Sequence, residues 1–239
     1  MTTSTKISVR ALAFGGKFIG SHVGFATIDI YGPEDCDQPL ATGLTNQGLV
    51  AGTDGSGVTP LIMDQAYPWG FPVRADEATE FTAEISLDEP TVLTFVATSV
   101  ADPRISASCD RLVLPGVPLT GAMAVVLVVP GLLTELTEPA AGASIVEGTS
   151  TTITATVRMM CGCLIDNLFW PEAYFSVLAM ISNGGEVLML PLSFAGQPST
   201  FSAPYTFPAP GQYEISIVAT EFNGNSGSAG PVTVEVTAS

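Results

Sequence analysis

Through the first half of the chain, apolar residues recur at every second position. Ile7, Val9 and Ala11 alternate with polar neighbours, and Ala26, Ile28 and Ile30 alternate with Phe25, Thr27 and Asp29. Phe81, Ala83, Ile85 and Leu87 repeat the pattern, as do Leu93, Phe95 and Ala97. A period of two places successive side chains on opposite faces of an extended backbone, so each run predicts a β-strand with one face in a core. Gly32-Pro33, Asp54-Gly55-Ser56-Gly57, Asp88-Glu89-Pro90 and Pro115-Gly116 separate the runs and supply turns. The continuous apolar stretch Ala122–Val129, rich in valine, predicts a strand buried on both faces.

The second half repeats the style without repeating the sequence. After Glu138-Pro139-Ala140-Ala141-Gly142 a strand is expected at Thr152–Arg158, with Ile153, Ala155 and Val157 inward. A hairpin follows, formed by Tyr174–Ser182, the turn Asn183-Gly184-Gly185, and Glu186–Phe194. Asn-Gly marks it because both residues tolerate positive φ. Further strands are expected at Ser199–Phe207, Gly211–Thr220 and Pro231–Val236. Nothing carries a long helical period. The fold class is therefore all-β, as two tandem antiparallel β-sandwich domains, residues 1–135 and 136–239. The joint near Leu133–Ala143, rich in Pro, Gly and Ala, reads as short and stiff.

The segment Gly211-Gln212-Tyr213, followed through Thr220 by Asn223-Gly224-Asn225, resembles the last hairpin of bacterial immunoglobulin-like domains. There a Gly-x-Tyr opens strand F and a Gly-Asn turn precedes strand G. The resemblance covers roughly Glu138 to Ser239. It implies that Tyr213 is a corner tyrosine whose hydroxyl ties the strand to an upstream backbone group. The first half resembles transthyretin-like or carboxypeptidase-regulatory-like sandwiches through Leu40–Thr45 leading to the Asp54-Gly55 turn.

Composition changes the picture in one respect. Charged residues are only 13% of the chain, and 23 acids against seven bases give a net charge of −16. That balance excludes a nucleic-acid binder, which needs basic groups to displace counterions. The longest apolar run is far short of the about 18–20 residues a membrane span requires. The N-terminus has no apolar signal segment as written; an extracellular or cell-surface setting is the expectation, with the cytoplasm as the alternative.

Low charge goes with a surplus of apolar faces. Leu178 and Met180 lie opposite the apolar face made by Phe175, Val177, Ala179 and Ile181, and the next strand carries Leu188, Leu190, Leu192 and Phe194. Leu178, Met180, Leu188, Leu190, Leu192 and Phe194 are therefore the expected interface, covered by the other domain, by the loop Leu164–Ala173 or by another subunit. The strand around Lys6–Phe14 is the candidate for edge pairing with a neighbour.

The chemistry-bearing residues are few. His22 is the single histidine, and it reads as structural or surface imidazole. No zinc-protease, nucleophile-elbow or phosphate-loop motif occurs, so no enzyme is expected. Met159, Met160, Cys161 and Cys163 gather soft donors suited to copper; buried thiols or a local Cys161–Cys163 disulfide are the alternatives. Glu34, Asp35 and Asp37 crowd one loop with oxygens that suit calcium, as do Asp54 with Ser56, and Glu221 with Asn223 and Asn225; solvated turns are the alternative. Cys36 and Cys109 are placed as a disulfide or as reduced thiols. No cofactor is expected beyond those copper or calcium alternatives. The leading expectation is a structural or interaction protein whose partner is protein, itself or another subunit. Metal handling at Met159–Cys163 and a carbohydrate-binding or adhesin module, with Trp69 and Trp170 as aromatic candidates, are the alternatives.

Overall fold

The computed structural model describes all residues except 1, 16–18, 20–22, 24, 34–36, 46–60, 65–70, 75–79 and 167–169, with only the backbone for Leu61–Asp64 and Phe71–Arg74. The chain divides into two compact units, Met1–Pro130 with Met160–Gly162, and Gly131–Met159 with Cys163–Ser239. The described secondary structure is almost wholly β-strand. No described helix is long and apolar enough to cross a membrane.

In the first unit β1 (Thr3–Ala13), β6 (Glu80–Leu87) and β9 (Val125–Val129) form one sheet, in the order β6-β1-β9. A second sheet runs β3-β2-β7-β8, from Ala41–Leu44, Ala26–Tyr31, Thr91–Ser99 and Ser106–Val113. A separate hairpin joins β4 (Leu61–Asp64) to β5 (Phe71–Arg74). The predicted alternation is realised: Ile7, Val9, Ala11, Ile28, Ile30, Leu93 and Phe95 are all fully buried. The Asp54-Gly55 turn, on which the transthyretin-like resemblance partly rested, lies outside the described residues.

Two expectations in this unit are corrected. β1 is not an edge strand offered to a neighbour; it is central, antiparallel to β6 and parallel to β9. Alternation reports which face is buried and is blind to how many strands flank the backbone. β9 is not buried on both faces either, since Val126 and Val128 remain 45% and 48% exposed while Val125, Leu127 and Val129 fill the core.

The second unit is one continuous sheet folded over itself, in the order β10-β12-β15-β14-β13-β16-β17-β11. Its strands are β10 (Leu132–Glu138), β11 (Ser144–Val146), β12 (Ser150–Met159), β13 (Phe175–Ser182), β14 (Val187–Phe194), β15 (Thr200–Thr206), β16 (Gly211–Glu221) and β17 (Ser226–Thr237). The continuity rests on β14, which pairs with β13 through Val187–Leu192 and with β15 only at Ser193 and Phe194. One strand thus serves both layers of a sandwich. Most pairs are antiparallel, as expected; β11 with β17, like β1 with β9, is parallel. Ile153, Ala155 and Val157 in one layer and Val177, Ala179, Ile181, Ile215 and Ile217 in the other are all buried.

The corner tyrosine expected from the immunoglobulin-like resemblance is present. The Tyr213 hydroxyl donates to the Ala209 carbonyl at 3.1 Å, and the ring packs edge-on against Phe207 with centroids 5.0 Å apart. Where β16 and β17 slip register between Ile215 and Ile217, Gly230 sits at φ +94°, and a Cβ there would press on the Ile215 carbonyl. Glycine is what lets the bulge form.

Candidate functional site

The register of β13 with its neighbours decides which side chains share a face, because residues directly opposite in a sheet point the same way. Val177, Ala179 and Ile181 face Leu192, Leu190 and Leu188 across β14. These belong to the core side of the sheet, and Leu192 is only 6% exposed. Phe194 points the same way and meets Phe201 edge-on, with centroids 5.8 Å apart. The expected interface of six residues therefore splits: Leu190, Leu192 and Phe194 line the inner side, together with Leu188, which stands 46% exposed at the sheet margin. A shift of one residue in pairing exchanges every face, and sequence alone does not fix that parity.

Leu178 and Met180 do sit on the outer face. Met180 stands opposite Met189 on one side and Ser216 on the other, while Leu178 stands between Pro191 and Val218. Val187 completes the cluster beside Ser182. Met189 and Val187 are 64% and 53% exposed; Leu178, Met180 and Val218 are half-buried. Ser176, Ser182, Ser216 and Thr220 surround the apolar residues, and Glu214, opposite Ser182, is the nearest acid in the register. An apolar centre within a polar rim is the anatomy of a protein–protein contact surface. Val187, Met189, Pro191 and Val218 are the residues of this cluster that the six-residue expectation missed; the alternation through Val187-Leu188-Met189-Leu190 contained the first two, but only the register assigns the face.

The other predicted sites are placed as follows. Met159 ends β12 opposite Leu132, fully buried, and its N–H donates to the Cys163 carbonyl at 3.1 Å. Met160 and Cys161 are buried and belong to the first unit, whereas Met159 and half-buried Cys163 belong to the second. Cys161 and Cys163 are thiols, so no disulfide joins them. Cys109 is a half-buried thiol opposite Phe95, and its expected partner Cys36 lies outside the described residues. Burial holds the Cys109 thiol above its ordinary pKa, against the pull of the nearby Arg111 charge. Glu34 and Asp35 also lie outside the described residues, as do Asp54, Ser56, His22 and Trp69; Asp37 is exposed.

Of the residues read as calcium ligands at the β16–β17 turn, Asn225 and Asn223 make hydrogen bonds within the chain. Asn225 Oδ1 accepts from the Gly131 N–H at 2.5 Å and its Nδ2 donates to the Gly131 carbonyl at 3.1 Å. Its amide is a buried lock between the β16–β17 turn and the start of β10. Asn223 Nδ2 donates to Glu221 Oε1 at 3.0 Å. Trp170 is half-buried; the exposed aromatic pair is instead Tyr174 with Phe222, centroids 4.7 Å apart and tilted at 54°. Among the described residues no cluster of three or more His, Cys, Asp or Glu side chains forms a metal site.

No known protein family matches the chain, and no curated protein matches it. Among solved structures it is similar to the fibronectin(III)-like modules of Clostridium thermocellum CbhA, at 15% identity over 98% of this chain and 93% of that one, with a TM-score of 0.31. It is similar to BcpA, the major pilin subunit of Bacillus cereus, at 10% identity over 98% and 69%, with a TM-score of 0.34. An engineered protein is 26% identical over 50% of this chain, which spans 23% of that protein's length, with a TM-score of 0.33.

Proposed function

We propose that this chain is a structural, non-enzymatic interaction protein that assembles with a protein subunit through the outer face of the β14-β13-β16 sheet. One observation carries the reading: in a chain of net charge −16, the patch of Leu178, Met180, Val187, Met189 and Val218 holds no charged residue and leaves Met189 and Val187 more than half exposed. Full burial of one such side chain is worth about 1.5–3 kcal/mol, so covering the cluster contributes several kcal/mol toward association. Association costs an estimated 4–15 kcal/mol before any contact counts, so the patch by itself supports a modest affinity, and further contacts must add to it.

Sedimentation velocity of the full chain from low to high micromolar concentration tests the reading. The expected result is a mass above the monomer that returns to monomer in a Met180→Lys, Met189→Lys double variant with unchanged melting temperature. A wild-type chain that stays monomeric throughout, with and without candidate partner subunits, contradicts it.

A further inference from the structure

Beside the apolar patch, the backbone of β14 leaves one of its two sides open. Val187–Leu192 pair with β13 alone, and β15 joins only from Ser193 onward. The direction of each backbone group follows from two facts. The Ala195 N–H donates to the Thr200 carbonyl at 2.9 Å, so odd-numbered residues direct their N–H and C=O toward the β15 side. Pro191, which has no N–H, is odd-numbered too, as expected for a proline tolerated only where its nitrogen faces away from the ladder. Val187 and Met189 therefore aim N–H and C=O outward from a stretch where the described residues supply no strand partner, while Leu188 and Leu190 bond to β13.

Natural sheets blunt such margins with charge, proline or cover. β10, at one end of this unit's sheet, carries Glu135 and Glu138. β14 carries no charged residue; Pro191 blunts its open margin at one end, and Val187, Leu188 and Met189 beyond it are 53%, 46% and 64% exposed. We propose that this edge pairs antiparallel with the same edge of a second copy of the chain, about a two-fold axis through Leu188. The proposal rests on the assembly reading above and names its partner. A second copy fits because the strand is complementary to itself: in a chain of net charge −16 it brings no like charges face to face.

The register follows from the proline. With Leu188 on the axis, Val187 of each copy lies opposite Met189 of the other, and both residues exchange N–H···O bonds, about four in all. Pro191 then falls opposite Gly185, beyond the bonded pairs, and Glu186 falls opposite Leu190 rather than another acid. Centring the axis on Met189 would set Pro191 against Val187 and forfeit bonds in both copies. The chosen register also lays the outward-facing Val187 and Met189 of both chains side by side, joining the two apolar patches into one surface.

Two variants of the full chain test the pairing. Met189→Pro removes an outward N–H at a position of the same parity as Pro191, so the fold stands while dimer dissociation should rise about tenfold or more. Leu188→Cys places two thiols across a non-bonded pair with Cα atoms about 4.5 Å apart, within disulfide reach. Mild oxidation should then yield a covalent dimer in excess of wild type, with peptide mapping joining position 188 to itself. A wild-type dimer that Met189→Pro leaves intact and Leu188→Cys does not cross-link overturns the edge pairing and leaves the assembly reading standing. A wild-type monomer at the highest concentration overturns the edge pairing, and the assembly reading falls with it only if added candidate partner subunits also leave the chain monomeric.

Discussion

The two units place their polar interactions differently. In the first, they lie across the outer faces of the sheets: Arg10 bridges to Glu80 at 2.9 Å and Thr94 donates to Asp110 at 2.8 Å. Thr42 donates to Asp29 at 2.6 Å on the same sheet as Thr94 and Asp110. These are cross-strand pairs suited to faces that meet water. In the second unit one such pair recurs, Thr154 donating to Glu138 at 3.1 Å across β12 and β10, and the other contacts that fix its shape are at joints. Asn225 clasps Gly131, Tyr213 ties to Ala209, and Ser199 holds Ile165 by accepting its N–H at 3.0 Å and donating its own to the Ile165 carbonyl at 2.8 Å. The sheet face is left to Leu178, Met180, Val187 and Met189. The contrast teaches that a face without cross-strand polar pairs is one built to meet something other than water.

That contrast ranks the consequences of substitution. Asn225→Ala should cost most, about 2–4 kcal/mol, because both the N–H and the C=O of Gly131 lose their partner in a buried setting. Urea unfolding measures it, and a cost below that of the surface pairs would break the comparison. Tyr213→Phe should cost about 1 kcal/mol, the worth of one hydrogen bond with packing retained. Arg10→Gln in the first unit should cost less than about 1 kcal/mol, since that pair is partly exposed, and the loss should shrink as salt is raised.

The smallest effect concerns pH. The side-chain hydrogen bond from Arg104 is the largest cause holding the Asp102 carboxyl below its ordinary value, and its charge adds to that. A carboxylate whose folded pKa is depressed contributes stability above the unfolded value, near about 3.9. That contribution disappears as pH falls through the folded pKa. Melting curves of wild type and Asp102→Asn should therefore differ slightly at neutral pH and converge in strong acid.

Much of the fold was legible because it is local. Asn183-Gly184 announced the β13–β14 hairpin, and Gly211-x-Tyr213 announced the corner, since each motif satisfies its own backbone within a few residues. What failed was non-local. Lys6, Ser8 and Arg10 alternate with Ile7 and Val9 as they would in an edge strand, yet pairing with distant β6 and β9 makes β1 central. The face of Leu190 depended on a register that the hairpin loop sets, and one residue more or less would have reversed it. Asn225 looked like an ion ligand because a side-chain oxygen does not reveal in sequence what it will bond. The open margin of β14 was invisible for the same reason: it arises where β15 departs.

Amide hydrogen exchange at Val187 and Met189, resolved by NMR over a range of protein concentration, tests the central claim most directly. Both amides should exchange quickly in dilute solution and become protected together as concentration rises, with the Leu188 and Leu190 amides protected at every concentration. Val187 and Met189 amides that exchange freely at the highest concentration, or that are already protected in a dilute monomer, contradict the account.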